Sequence, residues 1–171
     1  ALPYLRDFVA DVRESSSLCV LDGHHIVYVA RVPANRIMSV SISVGTRFPA
    51  YATSLGRVLL AGQPEQALAD YLATAELTPL TQRTIATREA LAAEIEKVKR
   101  QGWAMVDQEL EEGVRSLAVP VRDGSGRTAA AINVSVHASR WTLEQVREQL
   151  LPKLLETARL IDRDARASGG G

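Results

Sequence analysis

Apolar residues recur at helical spacing from the start of the chain. Leu2, Leu5, Phe8, Val9 and Val12 form one stripe, Pro3 suits a first helical turn, and Ser15-Ser16-Ser17 reads as its end. Residues 18–21 and 26–32 read as two strands joined at Asp22-Gly23, a tight-hairpin signal. Residues 38–44 alternate, with Met38, Val40, Ile42 and Val44 against Ser39, Ser41 and Ser43, which predicts another strand. Further on, Pro64 opens a helix with Ala67, Leu68, Tyr71 and Leu72 on one face. Residues 74–87 read as loop. Thr87 can cap a helix over 88–101, with Leu91, Ile95 and Val98 inward, Glu96 and Arg100 as an i,i+4 pair, and Gly102 as its stop. Strands follow at 103–108, 116–121 and 128–137. The first two are separated by an acidic turn at 109–115, the last two by Asp123-Gly124-Ser125-Gly126. Thr142-Leu143-Glu144-Gln145 is a capping-box pattern. It opens a closing helix with Val146, Leu150, Leu154, Leu155, Ala158 and Ile161 inward and a kink expected at Pro152.

Between these groups, residues 45–61 have a character of their own. Gly45 to Tyr51 reads as irregular chain, with Pro49 holding its predecessor extended. Thr53 or Ser54 then caps a short helix that Gly62 ends. A helix N-terminus offers unpaired N–H groups and a partial positive charge. Gly56, in the first turn, has no side chain to block approach, so this stretch is a candidate seat for a small carboxylate. The same residues also describe an ordinary capped helix whose glycine permits close packing.

Six strands with hairpins inside each group predict an antiparallel sheet in an α+β domain. The terminal helices carry long apolar stripes and should share the apolar face. The other face presents Ser116, Ala118, Asn133 and Ser135, with Ser39 or Ser41. A solvated face would be ordinary for such a sheet. The apolar stripes of the three middle helices need burial, however, and that face is the place left for them. A covered face with a small polar floor encloses a cavity of the kind that binds ligands.

Composition narrows the function classes. The chain has 171 residues, enough for one domain, and 46% hydrophobic and 23% charged residues are ordinary for a globular protein. Lys+Arg and Asp+Glu both number 20, so bulk charge does not suggest a nucleic-acid surface. The single Cys19 excludes an internal disulfide framework and a four-cysteine metal site, and its apolar setting reads as a buried thiol. No apolar run reaches membrane-spanning length and no signal peptide is evident, so the default location is cytoplasmic. The start at Ala1, almost directly in a helix, reads as a fragment of a longer protein.

The wording of the central stretch, Gly45-Thr46-Arg47-Phe48-Pro49-Ala50-Tyr51-Ala52-Thr53-Ser54-Leu55-Gly56-Arg57-Val58-Leu59-Leu60-Ala61, resembles the effector-binding domain of IclR-family bacterial transcription regulators. Gln101-Gly102-Trp103-Ala104, the run from Asp107 to Gly113, Ser116-Leu117-Ala118-Val119-Pro120-Val121 and Ala131-Ile132-Asn133-Val134-Ser135 extend the resemblance over essentially the whole chain. Arg36-Ile37-Met38-Ser39-Val40 and residues 47–54 are similar to the subgroup controlling protocatechuate, 4-hydroxybenzoate and β-ketoadipate catabolism. The resemblance implies a GAF-like fold, a six-stranded antiparallel sheet with helices on both faces, over residues 1–166, with 167–171 as flexible tail. It implies a winged helix-turn-helix domain ahead of Ala1, through which alone DNA would be bound. It also implies a homodimer or homotetramer and a small organic acid effector, with no cofactor and no membrane partner. By position, the pocket residues fall on Ser54, Leu55 and Gly56 at the helix start, on Val106, Val114 and Ser116, and on Asn133 and Ser135. Some members have Asp where Val106 stands and Cys where Ser116 stands, so no metal site is carried over.

Two other classes stand against this reading. For an enzyme, His24, His25, His137 and Cys19 are the obvious candidates besides hydroxyls, yet no nucleophile–base pairing, Gly-x-Ser-x-Gly elbow or P-loop can be drawn. His24 and His25 flank a hairpin turn, and Glu109, Glu111 and Glu112 read as a solvated turn. For a pure interaction domain, the stripes would serve oligomerisation alone, around a filled core.

Overall fold

The computed structural model describes residues 1–34 and 42–169. Chain order is α1 (Leu2–Val12), β1 (Ser15–Asp22), β2 (His25–Val32), β3 (Arg47–Pro49), a 3₁₀ turn (Ala50–Ala52), α2 (Ser54–Ala61), α3 (Glu65–Thr74), α4 (Arg88–Gln101), β4 (Ala104–Asp107), β5 (Val114–Arg122), β6 (Thr128–His137), α5 (Leu143–Gln145), a π turn (Val146–Leu150) and α6 (Leu151–Ser168). The strands form one antiparallel sheet in the order β3-β2-β1-β6-β5-β4, as the strand count and α+β reading expect.

Strand alternation sends successive side chains to opposite faces. On one face, Leu117, Val119 and Val121 of β5 and Ile132, Val134 and Val136 of β6 are buried under Leu5, Phe8 and Val9 of α1 and Leu154, Ala158 and Ile161 of α6. The other face is covered by α2, α3 and α4, which bring Leu55, Val58, Leu59, Leu68, Tyr71, Leu91, Ile95 and Val98 onto Cys19, Ala104, Ala118 and Ala131. The small residues on that second face leave room between helix and sheet. In this core the Tyr71 hydroxyl is buried with no hydrogen-bond partner among the described residues, and burial pushes it up to about 12. An unsatisfied buried hydroxyl costs free energy, so Tyr71→Phe should leave the thermal midpoint unchanged or raise it. A clear fall in a melting experiment would show that the hydroxyl has a partner after all.

Local expectations were met where capping chemistry is explicit. Thr53 Oγ1 accepts the Gly56 N–H, Thr87 Oγ1 accepts the Ala90 N–H, and Thr142 and Gln145 form the reciprocal capping box. Gly23 and His24 make the two-residue hairpin loop, with Asp22 paired to His25 and Gly23 at φ 62°.

Several expectations are corrected. Ser15, Ser16 and Ser17 begin β1 rather than close a helix, because each is buried and bonded across the sheet: Ser16 Oγ donates to the Asn133 carbonyl. Of the strand expected at 38–44, residues 38–41, including Ser39 and Ser41, lie outside the described residues, while 42–44 are not strand. The sixth strand is instead Arg47–Pro49, inside the stretch read as irregular. Pro49 is tolerated there because β3 is an edge strand. Glu96 bonds Lys99 and not Arg100. At Pro152 the helix admits a π turn just upstream, which absorbs the missing N–H. α6 continues to Ser168, past the expected start of the tail.

Candidate functional site

A cavity of about 550 Å³ lies between the N-terminus of α2 and the second sheet face. Seven of the eight expected pocket residues line it: Ser54, Leu55, Val106, Val114, Ser116, Asn133 and Ser135. Strand register explains the convergence. Ser116 pairs with Ser135 and with Val106, and Asn133 pairs with Ala118 and Ser17, so all of them point to one face. The floor is a connected polar network. Asn133 Oδ1 accepts the Ser17 N–H at 2.9 Å, and its Nδ2 donates to Ser116 Oγ and Ser135 Oγ, both at 3.3 Å. Ser116 Oγ in turn meets Ser54 Oγ at 2.6 Å, tying floor to helix. The first two amides of α2, those of Ser54 and Leu55, have no acceptor among the described residues.

Gly56 is the expected pocket residue that the structure does not bring to the cavity. A Cβ built there would meet the Ala50 carbonyl oxygen at 2.0 Å. The bare Cα therefore serves close packing of α2 on the 3₁₀ turn, and the Gly56 N–H is already taken by Thr53 Oγ1 at 2.9 Å. The amides left without an acceptor lie one turn position earlier, at Ser54 and Leu55.

The acidic turn is likewise not solvated throughout. Glu109 is buried and receives Arg57 bidentately, Nη1 to Oε2 at 2.8 Å and Nη2 to Oε1 at 2.6 Å. Arg57 Nε also donates to the Tyr51 carbonyl, and the Ile85 N–H donates to Glu109 Oε1. Thr81 and Thr84 hydroxyls hold the carbonyls of Gln108 and Glu109. The clasp joins α2, the 3₁₀ turn, the loop at 75–87 and the loop at 108–113, whose Leu110, Glu111, Glu112 and Gly113 form one cavity wall. A signal for it was present in the sequence: Arg57 interrupts an otherwise apolar helix whose every neighbour from Leu55 to Leu60 is buried. Next to the loop, burial of Asp107 is outweighed by Arg115, Gln108 and Arg83, which hold its carboxyl below the usual range.

The remaining walls were not anticipated. Tyr28 and Phe48 stack edge to face at 5.8 Å and supply an aromatic side, and Ile42 and Leu80 add apolar surface. Arg31 reaches the cavity from β2, Glu111, Glu112 and His137 from the β5 side. Among the described residues no cluster of His, Cys, Asp and Glu could hold a metal ion, and no helix is long and apolar enough to cross a membrane.

Comparison with known proteins places this geometry. The family described as "Bacterial transcriptional regulator IclR C-terminal" matches residues 1–163. The Pca regulon regulatory protein of Pseudomonas putida is 45% identical over 160 residues, 93% of this chain and 55% of that protein. The chain thus spans about half the length of the curated relatives it matches. A solved protein from Rhodococcus sp. RHA1 superposes with a TM-score of 0.95 at 50% identity, covering 98% of this chain and 67% of that one. A double mutant of the PobR transcription factor inducer-binding domain from Acinetobacter, in complex with 3-hydroxybenzoic acid, gives 0.87 at 30% identity and 94% of each chain.

Proposed function

Because this chain belongs to the IclR family of bacterial transcriptional regulators, through the family's C-terminal domain, we propose that it binds a small organic acid as the regulator's effector in the cavity between α2 and the sheet. The observation that carries this is the cavity itself: aromatic and aliphatic walls around a Ser116–Asn133–Ser135 floor, a composition typical of small-molecule sites. The hydroxybenzoic acid held by the Acinetobacter relative supports an aromatic acid, with an intermediate of the β-ketoadipate pathway as the other candidate. Ser54 and Leu55 amides, with the floor, receive one oxygen-bearing end of the ligand, while Val106, Val114 and Leu55 contact its apolar body. DNA contact belongs to a winged helix-turn-helix domain, for which the greater length of the relatives leaves room. The domain self-associates as a dimer or tetramer in the cytoplasm, and ligand changes regulation only by binding one arrangement better than another. All of the relatives compared are named as regulators rather than enzymes, which supports a ligand that is bound without turnover.

A thermal-shift screen of aromatic acids and β-ketoadipate-pathway intermediates tests this. An effector at a hundred times its dissociation constant should add about 2.7 kcal/mol to the unfolding free energy. If no acid shifts the midpoint and none binds in calorimetry at millimolar concentration, the organic-acid reading fails and an oligomerisation role remains.

A further inference from the structure

We infer that Arg31 and Tyr28, neighbours on β2, form the acid-binding end of the cavity, so that the effector's carboxylate lies against β2 and its second oxygen-bearing group points to the α2 end. The inference rests on the effector reading above and assigns the ligand's orientation and charge within it.

Three observations carry it. Arg31 lines the cavity, and its hydrogen bond among the described residues is Nη1 to Ser17 Oγ at 3.2 Å. No ion pair among the described residues supplies it with a carboxylate. A guanidinium drawn out of water without a counter-charge is costly, and burial pulls Arg31 below the usual arginine range. Tyr28 is 5% exposed and lines the same cavity, and its hydroxyl has no hydrogen-bond partner among the described residues. Burial pushes that hydroxyl up, with Arg31 close enough to pull the other way. A guanidinium fork and a hydroxyl donor with open valences are what a carboxylate satisfies, and an arginine fork can do so bidentately. Thirdly, charge is polarised across the cavity. Glu111 and Glu112 stand on the β4–β5 side, where they disfavour an anion, while Arg31 stands on the β2 side. The sheet register sets the placement. Arg31 pairs with Ser17, and Ser17 with Asn133, so the Arg31 guanidinium, bonded to Ser17 Oγ, borders the floor on the β1 side, while Ser54 and Ser116 mark its far side. The cavity of about 550 Å³ holds a compact body, flanked by Tyr28 and Phe48, between a carboxylate and a hydroxyl or keto group.

The test uses calorimetry on this chain with 4-hydroxybenzoate, adipate and the matching neutral amides, 4-hydroxybenzamide and adipamide. The parent should prefer at least one acid over its amide. Arg31→Gln should weaken that acid by about tenfold to a hundredfold, the range for a hydrogen bond to a charged group, and remove its advantage over the amide. Arg31→Lys should keep part of the preference, and Tyr28→Phe should weaken the acid by a smaller factor while remaining folded. If a folded Arg31→Gln protein keeps the parent's full acid preference, or Arg31→Lys and Tyr28→Phe both leave the acid's affinity unchanged, the carboxylate sits elsewhere and this orientation is overturned, while the organic-acid reading stands. If the parent binds neither of these acids nor any acid of the wider screen, both fall together.

Discussion

Glu109→Ala should lower the unfolding free energy by about 3–5 kcal/mol, because it leaves the Arg57 guanidinium buried without its counter-charge. Arg57 is 1% exposed, so solvent cannot replace the lost carboxylate. The Ile85 N–H loses its acceptor as well. The size of the effect comes from stranding the partner, not from a large net worth of the pair. The double replacement Arg57→Met with Glu109→Leu should therefore recover most of the loss, since apolar side chains of similar volume carry no desolvation penalty. Urea unfolding of the parent, the single variant and the double variant measures both quantities. A single-variant loss below about 1 kcal/mol, the range of an exposed pair, would mean that water reaches the clasp. The same variant bears on function. α2 and the loop at 108–113 both border the cavity, so loosening their connection should weaken acid binding in proportion.

Legibility in the sequence followed the range of the physics involved. Helix caps act within four residues, and Thr53, Thr87 and Thr142 could be read directly. Strand alternation is equally local, and it placed Ser116, Asn133 and Ser135 on a common face before any fold was known. What could not be read depends on contacts between distant segments. Ser16 and Ser17 look like a helix end until Asn133, more than a hundred residues away, satisfies them. Glu109 looks solvated among other acids until Arg57 is brought to it across 52 residues. Arg31 sits in an ordinary strand pattern, and its facing the cavity with no ion-pair partner among the described residues emerges from the packing of β2 against β1 and of α2 over the sheet. The resemblance implied the cavity's position but not these charges, because Arg57, Glu109 and Arg31 were not among the pocket positions it carried.

Gly56→Val should cost about 3 kcal/mol or more, and should do so with or without ligand, because the added atoms meet backbone rather than bound acid. The Cβ alone would stand 2.0 Å from the Ala50 oxygen and 2.5 Å from its Cα. Ala50 cannot withdraw: it is fully buried, and its N–H is fixed to the His24 carbonyl at 3.0 Å. Helix propensity acts in the opposite sense by less than about 1 kcal/mol, too little to offset the clash. α2 must then lift from the turn, which drags Arg57 off Glu109 and Ser54 off Ser116 together. Loss of acid binding in this variant would consequently say nothing about whether the ligand touches Gly56. Ser116→Ala is the cleaner probe of the cavity, since it removes a floor hydroxyl and introduces no contact. If Gly56→Val unfolds at the parent's midpoint in urea, the tight approach of α2 to Ala50 is wrong. If it is destabilised while Ser116→Ala keeps the fold and weakens the acid, the glycine serves the scaffold and the serine serves the site.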